Sequence, residues 1–396
     1  MMRWPIKPLG ELCDVEGGNS APQGDEHFKD GTIPFVRMKD LGRPHFTNNL
    51  TETDDKLTEA SVTTNRMKFF EPGCILFPRS GSVALNHRAI LGVRACIVSH
   101  IGVLQNLRPE ITAGYLYLYL TTFDMTALSK KTTGVDSIAF ADVKKIPVPV
   151  PSLKEQERIV KLLDEADELR KLRAQADRRT AALIHALFHE IFGDSLNNST
   201  GLEIKELRSV CIIGDGNHSS NYPKASEMLS SGIPFIRAVN LQDGKLDVAD
   251  MRYISQEKHL KLKKGHLKSG DVLFSNRGEI GKLAIVPDEF DNSNLNSQLA
   301  WLRPGEAILS QYLFSLLSSA GYQAGFRRSQ QGAALQQFTI KQLSAIKVPI
   351  PPMPLQQEFA QRVSEIRELE TAQAASRQRV EHLFQSMQHR AFNQEL

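Results

Sequence analysis

The segments "IPVPVPSLKEQERIVKLL" (Ile146–Leu163) and "AIKVPIPPMPLQQEFAQRV" (Ala345–Val363) spell one pattern twice, a proline-punctuated strand that opens into a long charged helix. Adding 200 to a residue number carries Val148, Pro149, Pro151 and Gln156 onto Val348, Pro349, Pro351 and Gln356. The register then holds without a gap through Leu169 and Leu369, Leu183 and Leu383, and Phe192 and Phe392. A chain that repeats itself at this distance builds the same unit twice. Upstream, "TIPFVRMKDL" (Thr32–Leu41) answers "GIPFIRAVNL" (Gly232–Leu241), and "PGCILFPRSGS" (Pro72–Ser82) answers "SGDVLFSNRGEIG" (Ser269–Gly281). "LQNLRP" (Leu104–Pro109) answers "LAWLRP" (Leu299–Pro304), and "YLYLYL" (Tyr115–Leu120) answers "YLFSLL" (Tyr312–Leu317). The repeat predicts a pseudo-dimer in one chain, with a globular domain over 1–150, a long helix over 151–195, a second globular domain over 196–350 and a second long helix over 351–396.

Inside each globular part, short β-branched and aromatic runs stand between Gly, Pro and Asn clusters. "IPFV", "CILF" and "ACIV" predict strands in the first, and "IPFI", "DVLF" and "LAIV" in the second. Helices between them are few and short, which makes the fold a strand-rich α/β domain in two copies. The long helices are bounded by stronger signals. Ser152 and Glu155 have capping-box spacing directly after Pro151. No proline or glycine follows from Leu153 to Phe192, and Gly193 supplies a left-handed stop. The second copy ends at Asn393 and has Pro352 and Pro354 at its start, which predicts a less regular beginning.

Forty residues at 1.5 Å each make a rod of about 60 Å, which needs a partner to bury its apolar positions. Heptads counted from Ile159 put Ile159, Leu162, Leu169, Ala176, Leu183 and Leu187 on the pairing face of the first helix. The second gives Phe359, Ile366, Leu369, Ser376, Leu383 and Met387. The simplest solution is an antiparallel coiled coil of the two helices, with a pseudo-two-fold axis near Ala176 and Ser376. The alternative is one long core helix in each of two separate domains.

Composition narrows function by exclusion. The 396 residues suffice for two or three cores, and a net charge of +3 permits a nucleic-acid partner without requiring one. No signal-peptide pattern and no run of 18 apolar residues occurs, so a cytoplasmic protein without a membrane partner is expected. Cys13, Cys74, Cys96 and Cys211 show neither CxxC spacing nor a neighbouring His pair, and read as core thiols. "GEIGKL" (Gly278–Leu283) is the nearest approach to a phosphate loop. Its first glycine stands too near the Gly-Lys pair and no Ser or Thr follows Lys282, so it reads as a strand-turn-strand element. No Asn or Asp precedes Pro-Pro and an aromatic residue, and His45, His87 and His218 stand without a second ligand or nucleophile. No catalytic residue and no metal site is expected.

DNA binding asks for cations that hold phosphates and for amides, hydroxyls or Arg that read base edges. "FRRSQQG" (Phe326–Gly332) places Arg327 and Arg328 before Gln330, and its counterpart "LSKKTTG" (Leu128–Gly134) places Lys130 and Lys131 before Thr132. This recurrence of a basic pair, polar readers and a glycine is the foremost DNA-contact candidate. "GDGNHSSNYPK" (Gly214–Lys224) adds His218, Ser219, Asn221, Tyr222 and Lys224. Asn276 and Arg277, with Lys282 beyond them, follow a predicted strand and are matched by Arg79 and Ser80, with His87 and Arg88 beyond. A structural turn is an equal reading of those two segments. "HLKLKKGHLK" (His259–Lys268) is a dense basic run that reads equally as solvated loop or phosphate contact.

The plan of two differing globular units, each closed by Pro-x-Pro-x-x-x-x-Gln and a helix of one length, resembles the specificity subunit of type I restriction-modification enzymes over the whole chain. "IGDGNHSSNYPKASEM" (Ile213–Met228), "NRGEIGKLAIV" (Asn276–Val286) and "GAALQQF" (Gly332–Phe338) carry the likeness in the second unit. In the first, "PRSGSVALNHRAIL" (Pro78–Leu91) lacks the second Gly-Lys pair, and nothing around Asn19 reproduces Asp215, Gly216 and His218. The resemblance implies a non-catalytic, DNA-binding subunit. Each globular unit would be a target recognition domain reading one half of an asymmetric bipartite site on double-stranded DNA. The helices would set the spacer and dock two adenine-N6 methyltransferase subunits, through which translocase-endonuclease subunits join. S-adenosylmethionine, ATP and Mg2+ would belong to those partners. The rivals are the specificity part of a stand-alone modification or two-sided cutting system, and a coiled-coil scaffold that binds no DNA.

Overall fold

A computed structural model describes residues 4–41, 49–81, 83–85, 87–132, 135–193, 201–218, 221–328 and 337–393. The chain divides into two compact units, Met1–Ala174 with Ser376–Leu396, and Gln175–Ala375. The division runs inside the long helices Leu153–Phe192 and Met353–Phe392, so each unit owns part of both.

In the first unit, Asp14–Gly17, Ile101–Gln105, Ile75–Pro78 and Ala89–Ile90 form an antiparallel sheet in that order. A second sheet runs Asp55–Leu57, Ile33–Val36, Ala95–Ile97, Phe69–Phe70, with its middle pair parallel. The second unit repeats the first order as Cys211–Asp215, Leu299–Pro304, Val272–Ser275, Leu283–Ile285. Its other sheet runs Arg252–Ile254, Ile233–Ile236, Asn294–Leu295, and again holds one parallel pair. All six runs read as strands from sequence are strands here. Mixed parallel and antiparallel pairing with flanking helices agrees with the strand-rich α/β expectation.

The repeated Pro-x-x-x-x-Gln phrase has a physical reason. Pro147–Pro149 pairs with Ile6–Pro8, and Lys347–Ile350 with Glu203–Glu206, so each closing strand is tied to the start of its own domain. The helix then begins, and Gln156 lies within it at 0% exposure. Its amide donates to the carbonyls of Glu110 (2.7 Å) and Pro151 (3.0 Å), while its oxygen accepts from the Thr112 amide (2.9 Å). Gln356, equally buried, donates to Ala307 (3.1 Å) and Pro351 (2.9 Å) and accepts from Leu309 (2.8 Å). Tyr115 and Tyr312 complete the joint by donating to the carbonyls of Pro149 and Pro349, each at 2.9 Å. A buried amide can replace solvent only by meeting all these groups together. No apolar residue could stand there.

Both long helices hold 40 residues. The first begins at Leu153, where Ser152 Oγ accepts from the Glu155 amide (3.3 Å). Its capping box is only half formed, because the Glu155 carboxylate turns to Arg158 at 2.7 Å instead of reaching back. Met353 starts the second as cleanly, contrary to the less regular start expected. Pro354 falls in the first turn, where the missing amide had no helical partner to lose. Gly193 ends the first helix with φ 68°.

The pairing face differs from the heptad reading. Leu169, Leu183, Leu369 and Leu383 are exposed, Leu169 at 59%. Buried or half-buried positions fall at Ile159, Leu163, Ala166 and Arg170, and at Val380, Phe384, Met387 and Ala391, a four-then-three alternation. Of the expected pairing positions, Ile159, Leu187 and Phe359 are buried and Leu162, Ala166, Ala176, Ile366, Ser376 and Met387 half-buried, so the two registers part at the four exposed leucines. In the first unit, Ile159 and Leu163 share a core with Ala391, against which Phe384, Met387 and Phe392 pack. Further along, Arg170 bonds Glu381 (2.9 Å) and Asp167 (3.0 Å) and lies 4.3 Å over the Phe384 ring, which is how a guanidinium occupies a core position. In the second unit, Phe188 and Phe192 close on Phe359 at 5.5 and 5.4 Å. Within each unit the early part of one helix meets the late part of the other, which is antiparallel packing.

The four cysteines are buried, and burial pushes the Cys13 and Cys211 thiols up to about 12 and Cys74 and Cys96 to about 11. These are inert core groups. Among the described residues, no helix is long and apolar enough to cross a membrane.

Candidate nucleic-acid interface

In the second unit the strand Val272–Ser275 runs out into a turn that carries Asn276 and Arg277. The Asn276 backbone is fully engaged, donating to Gln298 (3.0 Å) and accepting from Phe338 (2.9 Å), and Arg277 bridges to Gln337. Phe326 and Phe338, at the two ends of the basic segment, pack on Phe274 at 5.0 and 5.8 Å and on each other at 5.6 Å. Both ends of that segment are therefore stapled beside the turn. Arg327 and Arg328 close the helix Ala320–Arg328, and both are exposed, without ion pairs among the described residues.

The first unit repeats the device. Ile138 donates to the Arg79 carbonyl (2.9 Å) as Phe338 does to Asn276, and Ser80 bridges to Ser137. Lys130, Lys131 and Thr132 lie on the two-stranded hairpin Ser129–Thr132 with Val135–Ile138, whose return strand makes those bonds. Arg79 lies 4.4 Å over Phe140, and Ser80 Oγ bonds His100 Nδ1 at 2.7 Å. Two candidate motifs that are far apart in sequence, the post-strand turn and the basic segment, are thus joined by backbone bonds in each unit, and in the second the segment brings the exposed Arg327 and Arg328. That chemistry suits phosphates and base edges.

The family of the type I restriction modification DNA specificity domain matches residues 1–177 and 200–382. The chain belongs to that family. The MjaIX specificity subunit of Methanocaldococcus jannaschii is 24% identical over 90% of this chain and 85% of its own length. The EcoBI specificity subunit of Escherichia coli is 30% identical over 42% of this chain and 36% of its own. A solved chain from a study of type I complex assembly and conformational transition superposes with a TM-score of 0.66, at 20% identity over 100% of this chain and 99% of that one. The S subunit from M. genitalium gives 0.57, at 15% identity over 98% and 96%. The protein is thus a type I specificity subunit with DNA-recognition domains, a non-catalytic part of a restriction-modification complex.

For this specificity subunit, several sequence candidates change character. Arg88 is 6% exposed and donates to the Phe123 carbonyl (2.8 Å), and desolvation pulls its pKa down to about 10. It is a buried structural cation and cannot reach DNA. Replacing it with Met is expected to destabilise the fold by about 1 to 3 kcal/mol through the lost buried hydrogen bond, with DNA affinity in the assembled complex unchanged. Urea titration and gel shift check the two halves. Asn276, at 3% exposure, positions its turn from beneath, whereas Arg277 is half-buried. Lys282 pairs with Glu279 (2.5 Å) inside the turn between Val272–Ser275 and Leu283–Ile285. This confirms the strand-turn-strand reading over a phosphate loop.

In the polar loop, Tyr222 packs edge-on against Phe235 at 5.8 Å, so its ring serves the core. Asp215 joins His218 (3.1 Å) to Lys264 (3.4 Å), linking this loop to the basic run. In that run Lys261, Lys263, Lys264 and Lys268 are exposed, while His259 is buried against Asn294. Asn221 and Lys224 are exposed, and His87 is half-buried. Ser219 and Gln330 lie outside the described residues, and only the backbone is described for Lys130, Lys131 and Thr132. Sequence reasoning missed Phe140, His100 and Gln337, which hold the turns from behind. It also denied the first unit a counterpart of Gly216. Gly18 is one, since a Cβ there would come within 2.0 Å of the Ile97 carbonyl, as one at Gly216 would of Asn296 (2.3 Å). Among the described residues, no group of three or more His, Cys, Asp or Glu could hold a metal ion.

Proposed function

We propose that the two domains read the two halves of an asymmetric bipartite DNA site, and that the long helices set the unread spacer and dock adenine-N6 methyltransferase subunits. One observation carries this reading. The same turn-plus-basic-segment device occurs in both units but presents different side chains, Arg79 and Ser80 beside a lysine hairpin in one, Arg277 beside Arg327 and Arg328 in the other. Equal frames with unequal readers suit unequal half-sites. The exposed leucines Leu169, Leu183, Leu369 and Leu383 on the helices supply apolar surface for a partner. On this reading, S-adenosylmethionine, ATP and Mg2+ are held by the methyltransferase and translocase-endonuclease subunits, and this chain binds none of them.

Exchanging residues 1–145 for the matching domain of another specificity subunit is expected to change one half-site and leave the other intact. Methylome sequencing of cells carrying the chimera reads both halves, and alteration of both would contradict modular reading. Adding one heptad to each helix at matching positions, about 10.5 Å of rod, is expected to widen the spacer by about three base pairs at 3.4 Å each. An unchanged spacer in the methylated motif would remove the helices from that role.

A further inference from the structure

A cavity of about 580 Å3 in the second unit is lined by the end of the first long helix and by the short helices Ser310–Ser318 and Ala320–Arg328. His185 and His189, one helical turn apart, line it together with Arg327, Ser318 and Ser319. No carboxylate is among its lining residues. The Ser319 hydroxyl oxygen has no hydrogen-bond partner among the described residues but is closed off from solvent, so Ser318 is the serine left to meet a ligand. Gln323 has spent its amide hydrogens on the carbonyls of Gly281 (3.0 Å) and Leu317 (2.9 Å), which leaves the recognition to the other groups.

The first unit shows what the same groove looks like when it is filled from within. Gln385 and Thr121 stand there where His185 and Ser318 stand here, and Gln388 replaces Phe188. Gln388 donates to Thr121 Oγ1 at 2.8 Å, and Asp164, Asp167 and Glu381 share that lining with Arg170, which bonds Asp167 and Glu381. One groove is acidic on balance and internally bonded, and its repeat is cationic.

We propose that the cavity in the second unit binds a phosphate group, held by His185, His189, Arg327 and the Ser318 hydroxyl. Imidazole offers an N–H donor in either protonation state, and guanidinium and phosphate match as bidentate partners. Two imidazoles one turn apart also suit a divalent metal ion, but among the described residues no third His, Cys, Asp or Glu joins them, and Arg327 repels a cation. A DNA backbone phosphate and a free phosphate ester present the same chemistry to these groups. The site stands without the bipartite reading, because its lining is independent of how bases are read.

Titrating the full chain with inorganic phosphate, at ionic strength matched with chloride, is expected to raise Tm saturably and to broaden the phosphate 31P resonance. The His185→Gln/His189→Gln double variant is expected to weaken that affinity at least tenfold. Glutamine already stands at position 385 of the repeat, so the fold tolerates it at the matching position 185, and His189 is exposed. Ser318→Ala, a smaller change, is expected to weaken it severalfold. A response no larger than the chloride control, or an equal response in wild type and both variants, overturns the site. Adding a duplex of arbitrary sequence then names the source. Displacement of the bound phosphate assigns the site to the DNA backbone, and simultaneous binding assigns it to a free phosphate ester.

Discussion

Replacing Arg277, Arg327 and Arg328 together with glutamine is expected to lower the affinity of the assembled complex for its DNA by about 10²- to 10⁴-fold, since each guanidinium contact to a base edge contributes about 1 to 3 kcal/mol and phosphate contacts add to this. The three belong together because the aromatic staple of Phe274, Phe326 and Phe338 brings the basic segment back to the turn. Arg327 and Arg328 are exposed and have no carboxylate partner among the described residues, so their loss costs the fold little. Other cations are already committed inside the protein. Arg303 grips Asp271 through two bonds of 2.8 Å, and Lys258 is held by Glu227 at 2.8 Å. Lys258→Gln is therefore the control, expected to leave DNA affinity within about twofold, as neutral surface changes do. The salt dependence separates reading from steering. If the arginines hold phosphates, the slope of log affinity against log salt falls by about one per residue lost. If they read bases, the slope holds and discrimination against altered sites collapses. A triple variant that binds within threefold of wild type would place the interface elsewhere.

How far the sequence disclosed this arrangement depended on which residues carry a period. The absence of proline and glycine from Leu153 to Phe192 marked out the first long helix, and the 200-residue offset carried its end to the second. The start of the second was obscured by Pro354, because a proline in the first turn does not break a helix. Strands were legible because "IPFV" and "IPFI" are β-branched or aromatic between breakers. The pairing register was not. Leu162 and Leu163 are adjacent leucines, and only the tertiary core reveals that Leu163 is the buried one. At Arg170 the pattern fails for another reason, since a charge at a core position is legible only once Phe384 and Glu381 are known to face it.

The candidate interface shows the same limit. The basic pairs were visible as composition, but their union with Asn276 and Arg277 depends on backbone bonds across about 60 residues of chain. Arg88 and Tyr222 carried the right chemistry for DNA contact in the wrong place. Burial, which a loop-like sequence does not announce, reassigned both to structure.

Gln356→Leu is expected to cost the fold about 2 to 5 kcal/mol, because a side chain of similar size that cannot hydrogen-bond leaves buried backbone groups unpaired at about 1 to 3 kcal/mol each. Three such groups are at stake, the carbonyls of Ala307 and Pro351 and the amide of Leu309. The amide lies where the helix Ser310–Ser318 begins, so the loss falls on the element that carries Tyr312 into the core. The groups are close together, and relaxation that lets one water in relieves more than one of them, which keeps the total below their sum. Gln356→Glu provides a sharper comparison. A carboxylate keeps the acceptor for Leu309 but turns both carbonyl bonds into repulsions when ionised, so this variant is expected to be less stable than Gln356→Leu above the carboxyl pKa and to recover as pH falls and the acid can donate. Buried in the fold, the carboxyl has its pKa raised above the unfolded value. The proton it holds there contributes stability that is present below the unfolded pKa and lost as pH rises through the folded one. Urea titrations at two pH values, with Gln156→Leu as the matched change in the repeat, measure all of this. Equal stability of wild type and Gln356→Leu would show that the Pro-x-x-x-x-Gln phrase recurs for some reason other than holding each helix to its own domain.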